Sequence, residues 1–192
     1  MFSEKANSSD ILTTGLVAKT GFDGAAKGGG VFHVQCFDKD GVLKWEDQMH
    51  NLVVNEGLQD MNTQYFKGSV YTAAFFLGLV TGPGSGTVYA AADTLAVHGG
   101  WTEFTNYTGS RKAVVFGTAT TADPSVIGNS ASVAQFNISG AGGTVAGAFL
   151  CTVASGTSGV LFSEADFQSP GDRVVVTGDA LNVTYTFSLD AA

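Results

Sequence analysis

The sequence predicts an all-β protein: an antiparallel β-sandwich with one helix after an N-terminal hairpin, preceded by an extended N-terminal arm. Three observations predict it. The 26 glycines sit in a background rich in Thr, Ser, Val and Ala, with 44% hydrophobic and only 14% charged residues, the composition of short strands joined by tight turns. From Val31 onward, apolar runs of strand length recur at regular intervals, each bounded by Gly, Ser, Asp or Pro. The last run, ALNVTYTFSL, alternates strictly: Leu181, Val183, Tyr185, Phe187 and Leu189 fall on one face, and Asn182, Thr184, Thr186 and Ser188 on the other. Alternation of this kind marks an antiparallel strand with one buried and one solvated face. Phe187→Ala is accordingly expected to cost roughly 3–5 kcal/mol.

Residues 1–30 differ from the rest. LTTGLVAKTGFDGAAKGGG mixes apolar residues with glycine but sustains neither strand alternation nor helical spacing, so it reads as an arm, with the β-sandwich domain spanning 31–192. VFHVQCF then places Phe32, Val34 and Cys36 on one side of a strand, and DKDG at 38–41 supplies the turn into VLKWED, which makes a hairpin. DKDG also opens like a calcium loop, but the later carboxylates and the closing glutamate of such a loop are missing.

Beyond the hairpin lies HNLVVNEGL. Leu58, Met61, Tyr65 and Phe66 recur at helical spacing, with Asn55 as the expected N-cap, Glu56 in the positive first turn and Gly68 placed to end the helix. His50 and Asn51 are expected to tie the hairpin to the helix, with Leu52, Val53 and Val54 entering the core. VYTAAFFLGLV is almost wholly apolar, as a strand covered on both faces would be. AAADTLAVHGG reads as a weakly helical excursion, and WTEFTNY, KAVVFGTAT, ASVAQFNIS, TVAGAFLCTVA, GVLFSEADF and RVVVTG as further strands.

The formal net charge of −8 and the lack of a basic run argue against nucleic-acid binding. No apolar stretch reaches the ~18 residues of a membrane span, and the first residues lack the pattern of a secretion signal. Synthesis in a cytoplasm is the expectation. The two cysteines, Cys36 and Cys151, lie in apolar runs and are read as buried free thiols, with a single disulfide as the alternative.

No residue pattern commits to catalysis. His33, His50 and His98 are separated singles, no Gly-x-Ser-x-Gly surrounds a serine, and no Cys/His pair has zinc spacing. Neither a metal nor a cofactor is expected. Glu46 and Asp47 are neighbours and would point to opposite faces of a strand; Glu103, Glu164 and Asp166 would need the fold to bring them together, and SEAD at 163–166 reads as a solvated turn. Trp101, Phe104 and Tyr107 are candidate ligand-facing aromatics able to stack on sugars, although WTEFTNY also reads as a strand whose aromatics enter the core.

FDKDGVLKWEDQMHNLVVNEGLQDM, YFKGSVYTAAFFLGLV, YAAADTLAVHGGWTEFTNYTGSRKAV, NSASVAQFNI, VAGAFL, SGTSGVLFSEADF and GDALNVTYTFSL, in that order, resemble a family of tailed-bacteriophage virion structural proteins. The likeness spans residues 31 to 189, and its most specific blocks are HNLVVNEGL and AADTLAVHGGWTE. It implies a non-enzymatic particle component, either a head decoration (cement) protein or a tail-fibre-like protein, and supplies no catalytic residues. The preferred expectation is a cement protein on the capsid exterior, made in the bacterial host cytoplasm. Its partners would be the major capsid protein and sister copies, with a trimer as one symmetric option. Ile11, Leu12, Leu16, Val17 and Phe22 of the arm are the candidate partner-binding residues, since about 30 extended residues reach roughly 100 Å. The alternative is a tail-fibre or receptor-binding module recognising host surface carbohydrate.

Overall fold

A computed structural model of the protein describes residues 26–67, 74–81, 89–167 and 171–191. Two antiparallel sheets enclose the main core. The first is built on a long hairpin and the C-terminal strand: β1 (Ala26–Phe37), β2 (Leu43–His50) and β13 (Ala180–Ala191) run in the order β2-β1-β13. The free edge of β13 is covered by two short strands, β7 (Ser125–Gly128) and β8 (Ala134–Asn137). Buried Asn129 fills the gap between them. Its backbone N–H donates to the Tyr185 carbonyl at 3.2 Å, and its side-chain oxygen accepts from the Tyr185 N–H at 2.6 Å, so the ladder continues where the strand does not.

The second sheet comprises β3 (Leu52–Val53), β11 (Leu161–Asp166), β10 (Gly147–Cys151), β4 (Phe76–Thr81) and β5 (Thr102–Phe104), in that order, with β6 (Lys112–Ala113) also pairing β4. A small ribbon pairs β9 (Gly143–Val145) with β12 (Arg173–Val175). The run TVAGAFLCTVA thus divides at Ala146 between two sheets. The single helix of the described residues, α1, spans Asn55–Lys67.

Alternation selects the core. Phe32, Val34 and Cys36 of β1 and Leu181, Val183 and Tyr185 of β13 are buried against Leu77, Leu79, Ala148, Leu150 and Phe162 of the facing sheet. Burying each such side chain contributes about 1.5–3 kcal/mol. The pattern fades toward the end of β13, where Phe187 is only partly buried and Leu189 is 40% exposed. Phe187 therefore lies at the core's margin and not at its centre, which corrects the expectation of a costly Phe187→Ala.

The second sheet is covered on both faces, as the apolar β4 run predicts. Its outer face forms a smaller core in which Val80, Phe149, Cys151 and Leu161 pack under Leu95 and Trp101. The covering segment, 89–101, is a set of turns and not the weakly helical excursion that AAADTLAVHGG suggests. Three bonds from α1 and β11 pin it: the Asn55 N–H donates to the Ala91 carbonyl at 2.7 Å, the Leu95 N–H to the Glu56 carboxylate at 3.4 Å, and Trp101 Nε1 to Glu164 at 3.0 Å.

The domain begins earlier than residue 31. β1 already pairs from Ala26, opposite Ala191, so AKGGG belongs to the sheet. Gly30 is there for space: a Cβ at this position would lie 2.7 Å from the Tyr185 hydroxyl, which occupies the strand's inner face. Cys36 and Cys151 are free and buried in separate cores, and burial pushes the Cys36 thiol up to about 12.

Candidate functional site

The joint at 50–58 positions the helix. Asn51 accepts a bond from the Gly30 N–H at 2.5 Å and donates from Nδ2 to the Tyr185 hydroxyl at 2.9 Å, locking the end of the hairpin to β1 and β13. Leu52 and Val53 join β11 as a short edge strand, and Val54 is fully buried. The Val54 carbonyl accepts the first helical bond, from Leu58, so the cap is Val54 and Asn55 is already helical. His50, by contrast, is exposed at the end of β2 and is no part of the tie.

Glu56 has the role that sequence reasoning misses. Its carboxylate accepts from the Leu161 N–H at 2.9 Å as well as from Leu95, so one side chain joins the helix start to β11 and to the covering segment. Gly57, the only buried residue of α1, lies against the backbone of β11: a Cβ there would collide with the Phe162 carbonyl.

This contact fixes the helix's rotation, with a consequence for its apolar stripe. The side toward the sheet carries Gly57, Asp60, Met61 and Gln64, while Leu58, Tyr65 and Phe66 are 45%, 83% and 77% exposed. The predicted apolar stripe exists, but apart from Met61 it turns away from the core. Tyr65 and Phe66 pack edge to face, with ring centroids 5.0 Å apart. With Met61, Phe75, Phe162 and Leu189 they line a groove of about 690 Å³, within the ~300–1,000 Å³ of typical ligand pockets. A second depression of about 320 Å³ shares Asp60, Gln64 and Phe75 with this groove and is bounded by Thr152 and Val160. The signal in the sequence is Gly57: the smallest side chain on a helix marks its closest approach, and of the apolar stripe only Met61 shares its face.

The carboxylates are placed for structure. Asp47 points inward to Arg173 at 2.7 Å while Glu46 points out to Gln35 and His33, as neighbours on a strand must. Glu103 receives a bidentate pair from the buried Arg111 guanidinium at 2.9 and 2.8 Å, with that guanidinium 5.1 Å above the Phe149 ring. SEAD is not a solvated turn: it lies in β11, where Ser163 and Glu164 are fully buried. Burial, followed by the negative field of Asp93, pushes Glu164 up to about 8, against the bond from Trp101 that works the other way. Among the described residues, no group of three or more His, Cys, Asp or Glu side chains is placed to hold a metal ion.

Trp101, Phe104 and Tyr107 are only 5%, 4% and 6% exposed, which removes them as ligand-facing aromatics. Trp101 covers the outer face of the second sheet and stacks under His98 at 3.6 Å, while Phe104 and Tyr107 belong to the main core. Ile11, Leu12, Leu16, Val17 and Phe22 lie outside the described residues, as does Gly68. No helix among the described residues is long and apolar enough to cross a membrane. Comparison with protein-family models, curated proteins and solved structures finds no match for this chain.

Proposed function

We propose that the chain is a structural component of a tailed-bacteriophage virion: a decoration, or cement, protein that binds the outside of the head and stabilises it. The observation that carries this reading is the outward apolar face of α1 with the groove beside it. Monomeric surfaces seldom leave large aromatics such as Tyr65 and Phe66 open to water unless another surface covers them. The rest of the molecule suits a rigid holder for that face. One sheet is covered on both sides, and the charged side chains Arg111 and Arg173 are paired with Glu103 and Asp47.

The resemblance of residues 31–189 to virion structural proteins supports the particle setting, and the net charge of −8 suits an outer layer that must avoid nucleic acid. In this reading the partners are the major capsid protein and sister copies, neither DNA nor membrane is bound, and no reaction is catalysed. A carbohydrate-binding tail module is the weaker reading, because the aromatics it would use are buried.

Incubating the chain with undecorated shells tests the proposal. Full-length protein should co-sediment with shells, and a chain bearing Tyr65→Ser and Phe66→Ser should fold but bind less. Equal binding by both would sink the assignment of this face.

A further inference from the structure

We propose that the groove between α1, Phe75, Phe162 and Leu189 is the seat of this chain's own N-terminal segment, with apolar side chains from residues 11–22 filling it. The inference concerns the free chain and holds whether or not the particle reading does.

Three observations point to this occupant. The first is where the chain outside the structure begins. β1 starts at Ala26 opposite Ala191, and Gly28 faces Leu189, which lines the groove, so the first 25 residues leave from the groove's rim. The second is reach. Leu189 is two strand residues from Ala191, about 7 Å at strand rise, and the four residue steps from Ala26 back to Phe22 span up to about 13 Å. Phe22 can therefore return to the groove wall, and Val17, Leu16, Leu12 and Ile11 can extend along it. The third is chemistry. The groove is walled mainly by Met61, Tyr65, Phe66, Phe75, Phe162 and Leu189, together with Asp60, Asn62 and Gln64 and with no basic side chain among the described residues of its lining, and residues 11–22 carry five large apolar side chains and a single charge, Lys19.

Tethering decides between this chain and another copy. A short flexible link gives its own end an effective concentration in the millimolar range, so at micromolar protein the arm of the same chain outcompetes an identical arm on a neighbour. Seating covers Tyr65 and Phe66 in the free chain only; on a shell the arm must leave the groove before the α1 face can meet a neighbouring subunit.

A photo-cross-linker placed in the full-length chain tests it. Phe66→p-benzoylphenylalanine changes an exposed position and should leave the fold intact, which a thermal melt checks. After irradiation at micromolar concentration, peptide mapping should find cross-links from position 66 to residues 11–22 in material of single-chain mass. Those cross-links should vanish when Leu16→Ser, Val17→Ser and Phe22→Ser are combined. Cross-links confined to residues 68–73, or joining two chains, would overturn the proposal.

Discussion

Trp101 Nε1 donates a 3.0 Å hydrogen bond to Glu164 Oε2 at a point where Glu164 is fully buried and Trp101 nearly so. This bond closes the covering segment over the outer face of the second sheet. It also places an ionisable group where ionisation is costly, which makes the stability of the fold depend on pH.

Glu164 is pushed from 4.5 to about 8 by burial and by Asp93, and Asp166 from 3.8 to about 6 by burial and by Asp172. Both shifts are upward, so the folded chain holds protons that the unfolded chain releases. The contribution of Glu164 is fully present below pH 4.5 and that of Asp166 below pH 3.8, and both are lost as pH rises toward 8, by a few kcal/mol if Glu164 dominates. Glu164→Gln keeps an oxygen for Trp101 and removes the titration. Thermal melts from pH 5 to 9 should slope downward for the native chain, while the variant should flatten above about pH 6, where Asp166 has titrated; parallel curves above that pH would exclude Glu164 as the cause.

Gly57→Ala should destabilise the protein by roughly 1–3 kcal/mol, although alanine is the better helix former by about 1 kcal/mol. The added methyl would strike the Phe162 carbonyl and force α1 off β11. Denaturant unfolding measures the difference, and a neutral or stabilised variant would mean that the helix does not sit where described.

Asn51→Ala and His50→Ala should separate cleanly. Removing Asn51 leaves the Gly30 N–H and the Tyr185 hydroxyl short of a partner and should cost about 1–3 kcal/mol. His50 is exposed, and its loss should fall within about 0.5 kcal/mol of zero. Equal effects in equilibrium unfolding would refute the role given to Asn51.

Phe136→Ala should be more damaging than Phe187→Ala. Phe136 is fully buried and meets Tyr107 edge to face at 4.8 Å, whereas Phe187 is only partly buried. A loss of about 3–5 kcal/mol is expected for the first and less for the second. The reverse order in denaturant midpoints would contradict the placement of the core.

Strict alternation made β13 and the hairpin legible, because a period of two can bury only one set of side chains, and an unbroken apolar run made β4 legible as a strand covered on both faces. Other elements were not readable for physical reasons. The stripe Leu58, Tyr65 and Phe66 correctly announces a helix but not its rotation, which Gly57 sets through a contact with a strand about a hundred residues away. Glu164 looks like a surface residue in SEAD because neighbouring polar residues give no hint that Trp101 and the 89–101 segment will cover it. AKGGG reads as a loose arm because glycine has low strand propensity, yet the Tyr185 hydroxyl needs the room that Gly30 leaves.

Imaging purified phage particles with the chain identified and its copies counted bears on the proposed role as a head cement protein more than any other experiment. Many copies should lie on the outer surface of the head, each with the α1 face turned toward a neighbouring subunit. Absence of the chain from particles, or a few copies confined to the tail, would rule the proposed role out.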